Sequence, residues 1–150
     1  MERFREVQYF SWWVYVLLLG VGLVLARAYR VSRSGLPLAF IALIMILTAL
    51  FLRLETLVSE KELVVRFGWL PVVKKRILLT EITRVEASSY QPLRDFGGWG
   101  WRFGQGGVQA FTTKGTAGVF LWLCDGKQYL VGSSRSGELA QALRHGAPSP

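Results

Sequence analysis

The sequence predicts a two-helix transmembrane hairpin followed by a mainly β barrel or sandwich of about seven strands with a C-terminal α-helix. Three observations carry that reading: two long runs without a charge, an abrupt change of composition after Leu52, and a series of short β-branched segments separated by turn residues. At 150 residues the chain has room for one domain of ordinary size and one additional element. Of these residues 51% are hydrophobic, high for a chain that must also build a charged surface, so the excess is gathered somewhere.

After an N-terminal segment over residues 1–9, it is gathered in a hairpin over 10–52, in the runs Phe10 to Ala26 and Leu36 to Leu52. Each run has 17 residues. As a helix that is about 26 Å, against a hydrocarbon core of roughly 30 Å. Tyr9, Trp12 and Trp13 suit one interface, and Arg27, Arg30 and Arg53 suit snorkelling from helix ends. Two other readings compete: buried helices of a soluble core, and a signal peptide cleaved near Ala26-Arg27-Ala28. Neither run has the polar face a soluble core helix carries. Glu2, Glu6, the Trp12-Trp13 pair and a second run so close behind weigh against a signal peptide. Gly22 and Ala26, with Ala39, Ala42 and Ala49, offer small residues for close helix packing, or are ordinary fillers. The connection Arg27 to Gly35 reads as a turn, with Pro37 in the first turn of the returning helix. Both ends then lie on one side of the membrane. Arg3, Arg5, Arg53, Lys61 and Arg66 flank that side against Arg27, Arg30 and Arg33 in the loop, a five-to-three count that points to a cytoplasmic C-terminal domain.

Residues 53–150 carry 13 Lys or Arg against 8 Asp or Glu, a net charge near +5, and read as water-facing. The domain is expected over 57–145. Strands are predicted at Glu62–Gly68, Val72–Leu78, Ile82–Ala87, Val108–Thr113, Val119–Cys124 and Gln128–Val131. The last two flank Asp125-Gly126, a two-residue hairpin signal. Leu139, Ala142 and Leu143 make one apolar helical face, with Ser136 as N-cap, and 146–150 reads as a disordered tail.

The stretch Gly97-Gly98-Trp99-Gly100-Trp101-Arg102-Phe103-Gly104 resembles a glycine loop for phosphate, but its spacing is wrong and another turn follows where a helix is required. Its aromatics alternate at period 2, which predicts a strand. Two roles remain open: aromatics filling the barrel core with glycines permitting a bend or close approach, or a loop that touches membrane or ligand.

Ile77-Leu78-Leu79-Thr80-Glu81-Ile82-Thr83-Arg84-Val85-Glu86, Gly98-Trp99-Gly100-Trp101-Arg102, and Tyr129-Leu130-Val131-Gly132-Ser133-Ser134 before the helix resemble the small bacterial membrane proteins with a pleckstrin-homology-like (PH-like) domain. The likeness covers most of residues 57–145. It implies a bent β barrel capped by a helix, in a bacterial inner membrane, on a scaffold that elsewhere binds lipid headgroups, peptides or partner proteins. Its motifs are structural, so no site residues carry over.

Catalytic chemistry finds little support. His145 is the single histidine and stands in the expected tail; Cys124, the single cysteine, reads as a small buried hydrophobe and excludes an intramolecular disulfide or a Cys-rich zinc site. Glu60 with Glu62, or Glu81 with Glu86, read as solvated edges before they read as acid/base pairs. No cofactor or metal is expected. The candidate binding residues are Arg66, Lys74, Lys75 and Arg76, with Arg94 and Arg102 framing the aromatic stretch. A charged strand edge that blocks aggregation explains the Lys-Lys-Arg run as well as attraction to anionic lipids does. Nucleic acid is disfavoured by the modest charge excess. The expectation is a membrane-anchored, non-enzymatic interaction module, a scaffold or adaptor for protein partners or anionic lipid headgroups. The competing expectation is an accessory subunit of a membrane enzyme or transporter complex, held to a membrane-protein partner or in a homo-oligomer through its helices.

Overall fold

A computed structural model describes residues 2–32, 36–50, 52–68 and 73–145. The chain begins with strand β1 (Glu2–Tyr9), enters helix α1 (Trp12–Ser32), and returns through helix α2 (Leu36–Leu50). Strands β2 (Arg53–Ser59), β3 (Glu62–Phe67) and β4 (Val73–Leu78) follow, completing an antiparallel sheet in the order β1-β2-β3-β4. The second sheet takes β5 (Ile82–Ser89), β6 (Gly100–Phe103), β7 (Gln109–Thr112), β8 (Ala117–Leu123) and β9 (Gln128–Gly132), ordered β5-β8-β9-β7-β6. A short helix α3 (Pro92–Phe96) precedes β6, and α4 (Ser136–Arg144) ends the described chain.

The two helices are an insertion in a β-hairpin. Tyr9 pairs with Arg53, and Phe10 N–H donates to Leu52 O at 3.2 Å, so the chain leaves and re-enters the sheet at one point. Residues 1–9, expected as a separate segment, are therefore an edge strand, and the first sheet begins ahead of residue 57. Along β1 the inward side chains are Phe4, Glu6 and Gln8. Two of the three are polar, which hides the strand from any search for alternating hydrophobicity.

Helix α1 is longer than its apolar run because nothing in Arg27 to Ser32 interrupts it. Over Trp12–Val31 it is long and apolar enough to cross a membrane. It lies against α2; Val14, Leu18, Gly22 and Leu25 are its half-buried positions, as Ile41 and Met45 are those of α2. A β-carbon on Gly22 would stand 3.6 Å from Met45 Cε, ordinary contact, so the glycine is useful but not obligatory there. Ala26, Ala39 and Ala42 are exposed and outside the seam, while the side chain of Ala49 lies outside the described residues.

The sheets face each other across a core that includes Leu54, Leu63, Ile77, Leu121 and Tyr129, and Leu139 and Leu143 of α4 join it. Phe111 lies between Phe67 and Tyr129 in this core, with ring centroids at 6.3 and 6.4 Å. A smaller cluster on the far face of the second sheet joins Tyr90, Val108, Ala110 and Leu130 beneath α3. Arg135 occupies the N-cap position of α4 where Ser136 is expected, and Ser133 Oγ accepts the Arg135 N–H at 3.0 Å. The β8–β9 connection is Cys124-Asp125-Gly126-Lys127 rather than two residues, with Leu123 N–H donating to Lys127 O at 3.0 Å and Gly126 at φ 82°, so Cys124 is exposed past the strand end.

Glu6 is 7% exposed. Its carboxylate accepts from Ser133 Oγ at 2.5 Å, from Ser134 N at 3.1 Å and from Ser134 Oγ. Gln8 donates to Gly132 O at 3.1 Å and accepts from Thr113 Oγ1 at 2.8 Å. These bonds tie β1 to the end of β9. Glu6→Ala leaves the hydroxyls of Ser133 and Ser134 without their acceptor, and bonds to a charged group contribute about 1.5–3 kcal/mol each. Thermal unfolding in detergent should show a loss of roughly that size, with Glu6→Gln recovering part of it. An unchanged midpoint in Glu6→Ala would mean the tie is dispensable.

Candidate functional site

The β3–β4 register places Arg66 opposite Lys74 and Val64 opposite Arg76, with Val65 opposite Lys75. Directly paired residues share a face. Arg66, Lys74 and Arg76 therefore stand together on the outer face of the first sheet, while Lys75 points inward, its Nζ 5.1 Å from the centre of the Tyr129 ring. The run splits because a strand alternates its side chains, and an aromatic face compensates the inward cation. Elsewhere on the outer face Arg5 bonds Glu55 at 2.8 Å and Arg53 approaches the same carboxylate at 3.9 Å. Arg66, Lys74 and Arg76 have no ion pair among the described residues. Partial loss of hydration, then repulsion from Arg76 and Arg66, holds the Lys74 ammonium below its usual range, with Glu62 acting the other way. Lys74 thus sits in a positive potential that Glu62 only partly offsets.

Arg94 and Arg102 do not join this face. Arg94, on α3, lines a hollow of about 390 Å³ with Asp95, Phe96, Val108 and Phe120. Arg102, on the edge strand β6, donates from Nε to Trp99 O at 3.3 Å.

The aromatic stretch begins beyond α3, which ends on Gly97 in the left-handed conformation at φ 69°. Gly98 and Gly100, at φ 134° and 114°, turn the chain into β6, and a β-carbon on Gly104 would strike the Phe96 ring at 2.4 Å. The glycines serve bend and close approach, as one of the two readings expects. The aromatics do not fill the core. Trp101 lies on the inward face opposite Phe111, but β6 is the last strand of its sheet, and Trp101 and Phe103 are 47% and 62% exposed. Their ring centroids are 5.8 Å apart.

Trp101 and Trp99 instead wall an apolar groove of about 320 Å³ at the base of the helices. Trp13 and Val14 enter it from the start of α1 and Thr48 from the end of α2, Phe10 and Leu52 from the junctions of the helices with β1 and β2, and Phe67 and Val73 from the first sheet. Sequence reasoning missed this site because its walls come from five separated segments. The readable signal was the Trp12-Trp13 pair at the start of the first apolar run and the second pair, Trp99 and Trp101, in the aromatic stretch.

Among the described residues no group of three or more His, Cys, Asp or Glu is arranged to hold a metal ion. Glu60 and Glu62 border a surface hollow with Ser59, Lys61 and Leu78, and Glu86 pairs with Arg84 at 2.7 Å. His145 ends α4, with Nδ1 2.7 Å from Gln141 O.

Two measurements follow from this geometry. Trp101→Ala should cost only about 1.5–2.5 kcal/mol, half the value of a fully buried aromatic side chain, whereas Phe111→Ala should cost about 3–5 kcal/mol; equal losses would return Trp101 to the core. Tyr90 is buried, its hydroxyl lacks a hydrogen bond of good geometry, and burial pushes its pKa up to about 12, with the Thr112 side chain a weaker opposing influence. Between pH 10 and 12 the unfolded chain ionises this phenol and the folded chain does not, so stability falls as pH rises through that window. Tyr90→Phe should match or exceed wild-type stability at neutral pH and lead by a growing margin above pH 10, read from unfolding midpoints; a constant difference across the window would reject the buried-phenol account. No family model, curated protein or solved structure matches the chain.

Proposed function

We propose that this chain is a membrane-anchored, non-enzymatic interaction module. In this reading α1 and α2 cross a bacterial inner membrane as a hairpin, and a PH-like β domain acts at the cytoplasmic surface as a scaffold or adaptor that binds anionic lipid headgroups. The observation that carries it is the set Arg66, Lys74 and Arg76 on one sheet face, unpaired among the described residues and next to the strand ends from which the helices emerge.

Distance supports the same reading. At about 3.4 Å per residue, Lys74 and Arg66 lie roughly 7 Å beyond the Tyr9–Arg53 row and Arg76 roughly 14 Å beyond it. The Debye length at physiological salt is about 8 Å. Arg66 and Lys74 are within reach of a charged bilayer surface at the helix base, and Arg76 is at the limit. The hairpin geometry supports two crossings: α2 returns the chain to the level at which α1 leaves it, and Arg27 and Arg30 stand in the last turns of α1, at the far interface. The flanking charge count of five to three favours the cytoplasmic side for the domain.

The test uses a domain in which residues 11–51 are replaced by Asn-Gly, a two-residue loop suited to the Phe10–Leu52 hydrogen-bonded pair. Each basic residue near an anionic surface contributes about 1 kcal/mol, so Lys74→Ala should weaken sedimentation with phosphatidylglycerol vesicles about fivefold and Arg76→Ala by less. Lys75→Met, on the inward face, should leave binding unchanged. If Lys74→Ala binds as wild type does, the headgroup reading fails.

A further inference from the structure

The groove at the helix base differs in chemistry from the basic face beside it. Thr48 Oγ1 donates to Ile44 O at 2.8 Å, and Trp99 Nε1 donates to Gly115 O at 3.1 Å. With these groups engaged, the wall presents mostly ring faces and methyl groups. A peptide or a polar metabolite entering it would give up hydrogen bonds to water and gain few in return. A hydrocarbon chain gives up none.

We infer that the groove holds one acyl chain of a phospholipid from the adjoining leaflet, with the lipid phosphate lying toward Lys74. This rests on the membrane-anchored reading above and adds a defined site to it. Continuity selects the occupant first: Trp13 and Val14 of α1 and Thr48 of α2 form part of the wall, so the groove opens onto the surface that bilayer hydrocarbon covers in that reading. Charge order agrees. Val73 is in the apolar wall on the inward side of β4 and Lys74, the next residue, is on its outer face; because β4 is the last strand of its sheet, positive potential begins one residue beyond the hydrocarbon wall, around that edge, in the order in which an anionic phospholipid presents chain and phosphate. Size agrees as well, because about 320 Å³ is at the small end of ligand clefts and suits one chain better than a helix. Trp13 and Trp101, 49% and 47% exposed, stand beside it as tryptophans do where one side is apolar and the other wet.

The experiment uses the full-length chain in mixed phosphatidylcholine and phosphatidylglycerol vesicles. Alkaline carbonate comes first: release into the supernatant overturns the anchored reading and this site together. Protein that stays in the pellet is extracted into mild detergent, exchanged through lipid-free detergent, and examined by native mass spectrometry. The expected result is one retained phospholipid per chain, phosphatidylglycerol over phosphatidylcholine. Val73→Phe and Val14→Phe each fill the groove, and each should reduce retention about tenfold while the unfolding midpoint stays near wild type, a difference of about 1.4 kcal/mol in binding. The two lie on different elements, so a folding defect in one leaves the other decisive. Leu78→Ala, on the exposed outer face, should retain the lipid. A pelleted wild-type protein that carries no lipid overturns the site alone, as does full retention in both filled variants or a lipid-free dimer whose dissociation follows the same two substitutions.

Discussion

The hydrogen bonds from Glu6 and Gln8 to the end of β9 hold the rest of the arrangement in place. β1 is an edge strand, joined to its own sheet only through β2. Without Glu6 on Ser133 and Ser134, and Gln8 on Gly132 and Thr113, it would lean on one neighbour and on Arg135, whose guanidinium lies 4.7 Å from the Phe4 ring and donates to Arg5 O at 2.8 Å. Helix α1 begins three residues after β1 ends. Whatever fixes β1 against both sheets also fixes the helix base against both sheets, and the groove exists because that geometry is fixed.

A buried carboxylate is a costly way to secure a strand, and an apolar side chain at position 6 would add burial at less risk. What the carboxylate adds is register. A slip of one residue would turn Arg5 and Val7 inward and send Glu6 to the outer face, losing its three donors at once. The helices depend on that register, since Tyr9 must meet Arg53 for the chain to enter and leave the hairpin side by side. We read the polar tie as a device for alignment as much as for stability.

The later strands were visible in the sequence because their inward residues are apolar and their turns carry glycine. Leu63, Val65 and Phe67 alternate inward along β3, and Gly126 marks the β8–β9 loop. The earlier part was hidden for physical reasons. β1 faces the core with a carboxylate and an amide, and β2 follows directly on an apolar run, so its alternation of Leu54, Thr56 and Val58 with Arg53, Glu55 and Leu57 reads as the frayed end of a helix. The basic face was half visible: spacing alone separates Lys75 from Lys74 and Arg76, but only the register brings Arg66 opposite Lys74. The aromatic stretch was identified as a strand with its rings on one face, and their exposure was left open, because alternation gives a shared face and says nothing of whether a strand is at the edge of its sheet. The groove needed the whole topology.

The charges on β4 admit a plain explanation, since β4 is the free edge of the first sheet and lysines on an edge discourage pairing with another chain. That explanation covers Lys74, Lys75 and Arg76 by position. It does not cover Arg66. β3 is paired on both sides, so it has no edge to protect, and a large cation there, opposite Lys74 and with its Nε buried and unbonded, raises the local potential at a cost to the fold. Glu55 is opposite Arg66 on β2, yet its carboxylate oxygens are directed to Arg5 and Arg53. The carboxylate in the best position to neutralise Arg66 is engaged elsewhere, and the positive potential around Lys74 survives where a sheet built only to resist aggregation would have no use for it.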